Sequence, residues 1–274
     1  MKKLIFQSDD YGISDAVTDG ILKGIERGII CQTGLFVNMP SSERAARLIK
    51  DKRNVAVGID INLVAGFSVS DPKNVSSLVN SCGHMVSSVE RMRENKIIGR
   101  DGMLIQFEKD PYDFEQTLLE TENQVKRFIE LMGRKPAYLH GHSLMTENTY
   151  KAAQIVAEKY NVPLSFELLK LSGVKIVPCT WTPKPFPIED QKNTDVTHNF
   201  INALKNMDAC DVGYFICHCG YVDADLLKET TYTLIRCKDL ECATSNEVHD
   251  YLVKNNIELT SISKLMSKGN SNEY

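Results

Sequence analysis

The chain has 274 residues, enough for one large core or two modest domains, and its apolar (42%) and charged (25%) fractions are those of an ordinary globular protein. A formal net charge of −4 leaves no basic footprint for nucleic acid and none for an anionic membrane. The apolar run after Met1-Lys2-Lys3 extends only from Leu4 to Phe6, no later stretch approaches a membrane span, and the eight cysteines follow no disulfide framework, so a soluble cytoplasmic protein with free thiols is expected.

Strand-like and helix-like stretches alternate along the chain. Residues 3–8 read as a strand, and Ser14 caps a helix whose Val17, Ile21 and Ile25 share a face, closed by Gly28. Cys31–Val37 and Val55–Val64 are the next strands, with a helix over Ser41–Lys50 between them. Residues 66–109 form an irregular insertion rich in Gly, Ser and Asn, in which only "SVERMRENK" carries a helical pattern. Asp110-Pro111 reads as an N-cap and first helical position, and Phe114, Leu118, Val125, Phe128 and Ile129 line the face of the helix that Gly133 ends.

"AYLHGHS" (137–143) is the following strand, and Thr146–Tyr160 the following helix. Short strands are expected near 163–167 and 174–178, then a proline-rich connection, "CTWTPKPFPIED", and a helix around 197–207. "VGYFICHCG" (212–220) is a strand, Thr244-Ser-Asn-Glu247 a capping box, and Ile257–Ser261 a closing strand. Six or seven strand–helix units with no linker imply a single α/β domain, 1–274, built as a distorted (β/α) barrel of six to eight parallel strands. An open doubly wound sheet is the alternative.

Polar residues gather where the strands end. The first runs into Asp9-Asp10, "VAVGI" into Asp60 and then Asn62, "AYL" into His140-Gly-His142, and "YFIC" into His218. In parallel βα folds these carboxyl ends converge on one face, where active sites sit. Taken singly, an aspartate pair after a strand is often a turn or a helix cap, and a strand histidine is often a hydrogen-bonded core residue. Asp60 is harder to explain that way, because a carboxylate within an apolar strand needs a compensating partner. Four such events on one face read as a site. Carboxylates plus imidazole suit a divalent cation with open positions, which also explains how adjacent aspartates coexist. His218 on its own strand suits a general acid, while Cys217 and Cys219 point to the opposite face and read as packing. There is no phosphate-binding glycine loop and no G-x-S-x-G elbow.

The stretch "SDDYGISDAVTDGILKGIERGIICQTGLFVNMPSSERAARL" closely resembles the opening of the YdjC-like carbohydrate deacetylases, which include chitooligosaccharide deacetylases. "VGIDINLVAG", "YLHGHS", "CHCGYVDADL", Arg236 and the terminal "NNIELTS" resemble later segments of the same family. The resemblance implies a metal-dependent hydrolase that removes an N-acetyl group from a small amino sugar or disaccharide. Basic residues at 85–100 point to a phosphorylated form.

By the same resemblance Asp9 is the base, His218 the acid and Arg236 the residue that orients Asp9. Asp10, Asp60 and His140 are the metal ligands, and Tyr11, Asn62, His142 and Tyr221 face the substrate. The partner is a small carbohydrate, with no nucleic acid and no membrane. A homodimer is common for such enzymes, though no interface signature stands out. Asp60 replaces the family's usual histidine, which favours magnesium, with manganese or zinc as the other candidates. Tyr138 replaces an aspartate and Cys219 a proline. These departures leave two alternatives: a catalytically degenerate carbohydrate-binding protein on the same scaffold, or a metal-dependent hydrolase of another sugar bond.

Overall fold

The computed structural model describes residues 2–178, 187–205 and 211–269. Strands β1 (Lys3–Tyr11), β2 (Gln32–Leu35) and β3 (Ala56–Ile61) alternate with helices α1 (Asp15–Arg27) and α2 (Ser42–Ile49). The insertion follows, with α3 (Ser88–Glu94) and an antiparallel pair, β4 (Ile97–Asp101) and β5 (Leu104–Phe107). Helix α4 (Phe114–Met132), β6 (Leu139–Gly141) and α5 (Glu147–Tyr160) come next. A 3-10 turn over Ser165–Lys170 leads to β7 (Val174–Ile176), α6 (Ile188–Asn193), α7 (Val196–Lys205) and β8 (Val212–Cys217). The chain continues through α8 (Leu226–Glu229), α9 (Leu234–Ala243), α10 (Asn246–Lys254), β9 (Glu258–Leu259) and α11 (Ile262–Gly269).

The strands form one curled parallel sheet in the order β6-β3-β2-β1-β8-β7, a half-barrel ringed by helices, with β9 paired beside the start of β1. This is the distorted barrel expected from the repeated strand–helix units. Alternation along the strands splits the core into two. Leu4 and Phe6 of β1 pack outward with the helices in the main cluster. Ile5 packs inside the curl with Tyr138, Leu168, Val212, Tyr214 and Ile262. Among the described residues no helix is long and apolar enough to cross a membrane, and Cys31, Cys82, Cys217, Cys219, Cys237 and Cys242 are free thiols.

Three local expectations change. The cap of α4 is Asp113, whose carboxylate accepts from Gln116 N at 3.0 Å. Asp110 lies outside the helix and accepts from Tyr112 N, Thr146 Oγ1 and Asn148 N, tying the start of α5 in place. Residues 163–167 do not form a strand: Leu164 makes a single bridge to Leu139 and the chain turns at once into the 3-10 segment. Ser245 rather than Thr244 caps α10, accepting from Glu247 N, because Thr244 is already bound at the end of α9. Most of the proline-rich connection, 179–186, lies outside the described residues, as do residues 206 and 207 of the expected helix at 197–207.

Candidate active site

The site is built at the carboxyl ends of β1, β3, β6 and β8. Parallel register places Asp60 directly opposite His140. Between Ser8 and Tyr11, β1 holds one residue more than β2 does over the facing stretch, a bulge in which Asp10 adopts a left-handed φ of 69°. Strict alternation sends neighbouring side chains to opposite faces, and the bulge lets both Asp9 and Asp10 reach the same site. Aspartate is among the few residue types that tolerate this backbone. Two glycines make room inside the sheet. A Cβ on Gly34 would lie 1.7 Å from Asp60 Oδ1, and one on Gly58 would lie 2.5 Å from the Tyr138 ring. The Asp60 carboxylate therefore lies over the bare backbone of β2, and the Tyr138 ring over that of β3.

One carboxylate oxygen each from Asp9 and Asp60 and one ring nitrogen of His140 lie within 4.8 Å of one another, and all three residues are buried. Asp9 Oδ2 stands 3.2 Å from His140 Nε2, while His140 Nδ1 meets Ser165 Oγ at 2.6 Å. Burial alone would raise the Asp9 carboxyl, but His140 beside it holds it below its ordinary value. Burial likewise opposes charge on His140, yet Asp9 lifts the imidazole to about 9. Asp60 goes the other way: burial, reinforced by the Asp9 charge, pushes it well above the carboxylate range. Its Oδ2 accepts from Asp10 N at 2.9 Å, and its Oδ1 has no hydrogen-bond partner among the described residues.

Asp10 forms a second centre beside the first. Its Oδ2 accepts from Arg236 Nη2 at 2.7 Å, and its Oδ1 lies 3.0 Å from His142 Nδ1. Burial opposes ionisation, but His142 and Arg236 outweigh it and hold the carboxyl well below its usual range. Arg236 is itself 1% exposed and anchored by Nε to Tyr232 O at 2.8 Å. One helical turn further along α9, Asp239 accepts from His218 N at 2.8 Å. Burial lowers the His218 imidazole from its ordinary value. The loop after β8 is fixed by Cys219 N donating to Ser8 Oγ and by the close approach of Gly220 to Gly20 of α1, where a Cβ would meet Gly220 Cα at 2.6 Å.

The family model for YdjC-like proteins matches residues 3–254. The chain belongs to the YdjC-like family. Among similar proteins, a carbohydrate deacetylase of Clostridium beijerinckii is 29% identical over 264 residues, covering 94% of this chain and 97% of that one. Carbohydrate deacetylase 2 of Listeria innocua is 28% identical over 270 residues, covering 97% of this chain and 100% of its own length. The crystal structure of an Enterococcus faecalis protein proposed to cleave cellobiose phosphate superposes with a TM-score of 0.76 at 22% identity. It covers 96% of this chain and 98% of that one, a likeness of fold.

In this YdjC-like protein Asp9, Asp10, Asp60, His140 and His142 converge from their strand ends, Arg236 of α9 joins them through Asp10, and His218 is near enough to share their field. The pairing within the cluster differs from expectation. Arg236 holds Asp10 rather than Asp9, and the group with metal-ligand spacing contains Asp9 rather than Asp10. The bulge accounts for this, because it swings Asp10 toward α9 and leaves Asp9 on the inward face with Asp60 and His140.

Two residues expected to face substrate are spent on structure. Tyr11 is fully buried and donates its hydroxyl to Ala45 O at 2.9 Å. Asn62, also fully buried, donates to Asn38 Oδ1 and Ala65 O and accepts from Val64 N and Ala65 N, clamping the chain as it leaves β3. Tyr221 is 39% exposed, with Lys23 Nζ 5.6 Å from its ring centroid. Sequence reasoning missed Asp239, Ser165, Gln7 and Gly34. Asp239 lies within a helix and Ser165 in the 3-10 segment, away from any strand end. Gln7 and Gly34 are ordinary strand residues until their neighbours across the sheet are known.

Proposed function

We propose that this protein is a metal-dependent carbohydrate deacetylase, hydrolysing the N-acetyl group of a small amino sugar or a disaccharide, phosphorylated or not. The observation that carries the reading is the buried Asp9–Asp60–His140 group set against the Arg236-bound Asp10. The family supports it, as do relatives that carry the name carbohydrate deacetylase. The donor set fits a divalent cation. Asp60 Oδ1 is a buried carboxylate oxygen left without a hydrogen bond among the described residues, and two carboxylates with one imidazole suit a hard or borderline ion, magnesium first.

Asp9, Asp60 and His140 would hold the ion, exchanging the roles first assigned to Asp9 and Asp10. Bound there, a divalent cation acidifies water and polarises a carbonyl oxygen. Ser165 fixes the His140 ring through Nδ1 and leaves Nε2 turned toward Asp9. Asp10, oriented by Arg236 and His142, is the base that takes a proton from the attacking water. His218, whose lowered basicity makes its protonated form a stronger acid, hands a proton to the departing sugar nitrogen as the C–N bond breaks and acetate leaves. Asp239 keeps the His218 backbone in place for that transfer.

The test separates the two aspartates. Acetate release from N-acetylglucosamine and its disaccharide is measured with and without magnesium, manganese or zinc, alongside bound metal per chain. Asp9→Asn is expected to lose metal and turnover together, and Asp10→Asn to keep metal while turnover falls by at least about a hundredfold. No acetate from the wild-type protein with any ion would refute the deacetylase reading. Metal loss in Asp10→Asn would restore the original assignment of that residue as a ligand.

A further inference from the structure

Inside the curl one tyrosine hydroxyl is left unused. Tyr138 and Tyr214 are both fully buried there, packed with Ile5, Leu168, Val212 and Ile262. The Tyr214 hydroxyl donates to Gln7 Oε1 at 2.7 Å. The Tyr138 hydroxyl has no hydrogen-bond partner among the described residues, although a buried polar atom is ordinarily paired. Packing accounts for the ring but not for the hydroxyl, which a phenylalanine would spare the core.

Two paired glycines show where that hydroxyl points. Tyr138 stands two residues before His140, so alternation puts both side chains on the same face of the sheet. A Cβ on Gly58 would meet Tyr138 Cζ at 2.5 Å and both Cε atoms at 2.6 Å, so the ring reaches over β3 with its hydroxyl end foremost. Gly58 is paired with Gly34 of β2, and a Cβ on Gly34 would lie 1.7 Å from Asp60 Oδ1. The hydroxyl end of Tyr138 and the Asp60 carboxyl therefore occupy the space over two paired glycines, on strands that run about 4.8 Å apart. Burial, and next the Asp60 charge, hold the phenol well above its ordinary value, so it remains a donor. Asp60 Oδ1 likewise has no hydrogen bond among the described residues. A buried donor and a buried acceptor thus face each other, both unspent.

We propose that Tyr138 is the positioning residue of Asp60, its hydroxyl donating to the Asp60 carboxylate in the cation-bound protein and standing unpaired without the cation. The proposal rests on the reading of Asp9, Asp60 and His140 as a cation site. An ionised carboxylate accepts a bond about twice as strong as a neutral group does, and partners of this kind typically change metal affinity about 10–100-fold.

Tyr138→Phe removes the hydroxyl and keeps the ring. Tyr112→Phe makes the same change at another buried tyrosine, stacked on Arg91, whose hydroxyl also lacks a partner among the described residues. Affinities of the intact chain for magnesium, manganese and zinc are measured by calorimetry, with thermal melts in chelator. Tyr138→Phe is expected to bind ion at least about tenfold more weakly, yet to melt no lower than wild type in chelator, where the hydroxyl has no bond to lose. Tyr112→Phe should keep the wild-type affinity. The near-ultraviolet difference spectrum on adding ion should carry a tyrosine band in wild type and Tyr112→Phe that Tyr138→Phe lacks.

An undiminished affinity in Tyr138→Phe, or a loss shared by Tyr112→Phe, overturns the proposal and leaves the cation site standing. A Tyr138→Phe protein that melts lower in chelator or fails to fold also overturns it, because the hydroxyl then has a partner without the ion. A wild-type protein that binds none of the three ions removes the metal reading together with the proposal.

Discussion

Replacing Asp60 by asparagine should stabilise the metal-free protein and abolish its response to divalent ions. Three carboxylates are buried together; among the described residues Asp10 is paired with Arg236 and Asp9 with His140. Asp60 retains one backbone donor and faces the Asp9 charge, so burial and that charge hold its carboxyl well above the ordinary range. An asparagine keeps the shape and the bond from Asp10 N and removes the carboxyl whose ionisation burial and the Asp9 charge oppose. The gain should be about 1–3 kcal/mol, the cost of leaving a buried polar group unsatisfied. For a domain of this size that is a rise in melting temperature of about 2–6 °C.

The sign with pH follows from the raised carboxyl. Its favourable contribution is complete below the unfolded value of about 3.9 and is lost as pH rises through the folded one. The advantage of the variant should therefore be absent in acid and open toward neutrality. Adding ion at about a hundred times its dissociation constant should stabilise the wild-type protein by about 2.7 kcal/mol and the variant by much less. Thermal melts of both proteins from acid to neutral pH, in chelator and in magnesium, manganese or zinc, measure all three effects. A variant that melts lower than wild type in chelator, or that gains as much from added ion, refutes the reasoning.

Two further substitutions examine what surrounds the site. Gly34→Ala places a methyl 1.7 Å from Asp60 Oδ1 inside the sheet; it should cost about 1–3 kcal/mol and remove the ion-dependent rise in melting temperature. Gly34→Ala combined with Asp60→Ala should recover much of the stability without the ion response, and a single variant that still responds to ion would contradict the steric account. Glu120 is fully buried on α4 and accepts from Val69 N at 3.0 Å and Ser70 N at 2.9 Å, anchoring the start of the insertion. Glu120→Gln turns one acceptor into a donor and should cost about 1–3 kcal/mol, with faster hydrogen exchange at the Val69 and Ser70 amides; unchanged exchange there would show that the anchor lies elsewhere.

The strand ends could be read from the sequence because each short apolar run stops at a charged or imidazole residue. In a parallel fold that pattern has only one destination. The partners of those residues could not be read the same way. Arg236 was identified, but its attachment to Asp10 depends on the bulge and the φ of 69° at Asp10, which break the alternation that sequence reasoning relies on. Tyr11 and Asn62 stand beside the charged residues in sequence, yet their polar atoms are consumed by Ala45 O and by the 62–65 turn. Tyr138 turns its ring over Gly58 into the interior of the curl, and burial pushes its phenol well above the ordinary value.

Beneath the site a hydrogen-bond chain explains why Asp9 stays ionised in a buried place. Gln7 Oε1 accepts from Tyr214 Oη at 2.7 Å and also from Gln32 Nε2, so the amide of Gln7 can present only its NH2 group upward. That group donates to Asp9 Oδ1. Gln32 is turned by its own neighbour, because Ile262 N donates to Gln32 Oε1 at 3.0 Å at the start of the last helix. One oxygen of Asp9 is thus assigned to a neutral donor and the other is left for His140. A carboxylate that receives a donor on one side and a cation on the other is stable in a dry setting, whereas Asp60, with a single backbone donor, is not. The order of these donors makes Asp9 the fixed anion of the pair. Asp60 is the group that burial and the Asp9 charge keep from ionising, and a cation held there as proposed would let it do so.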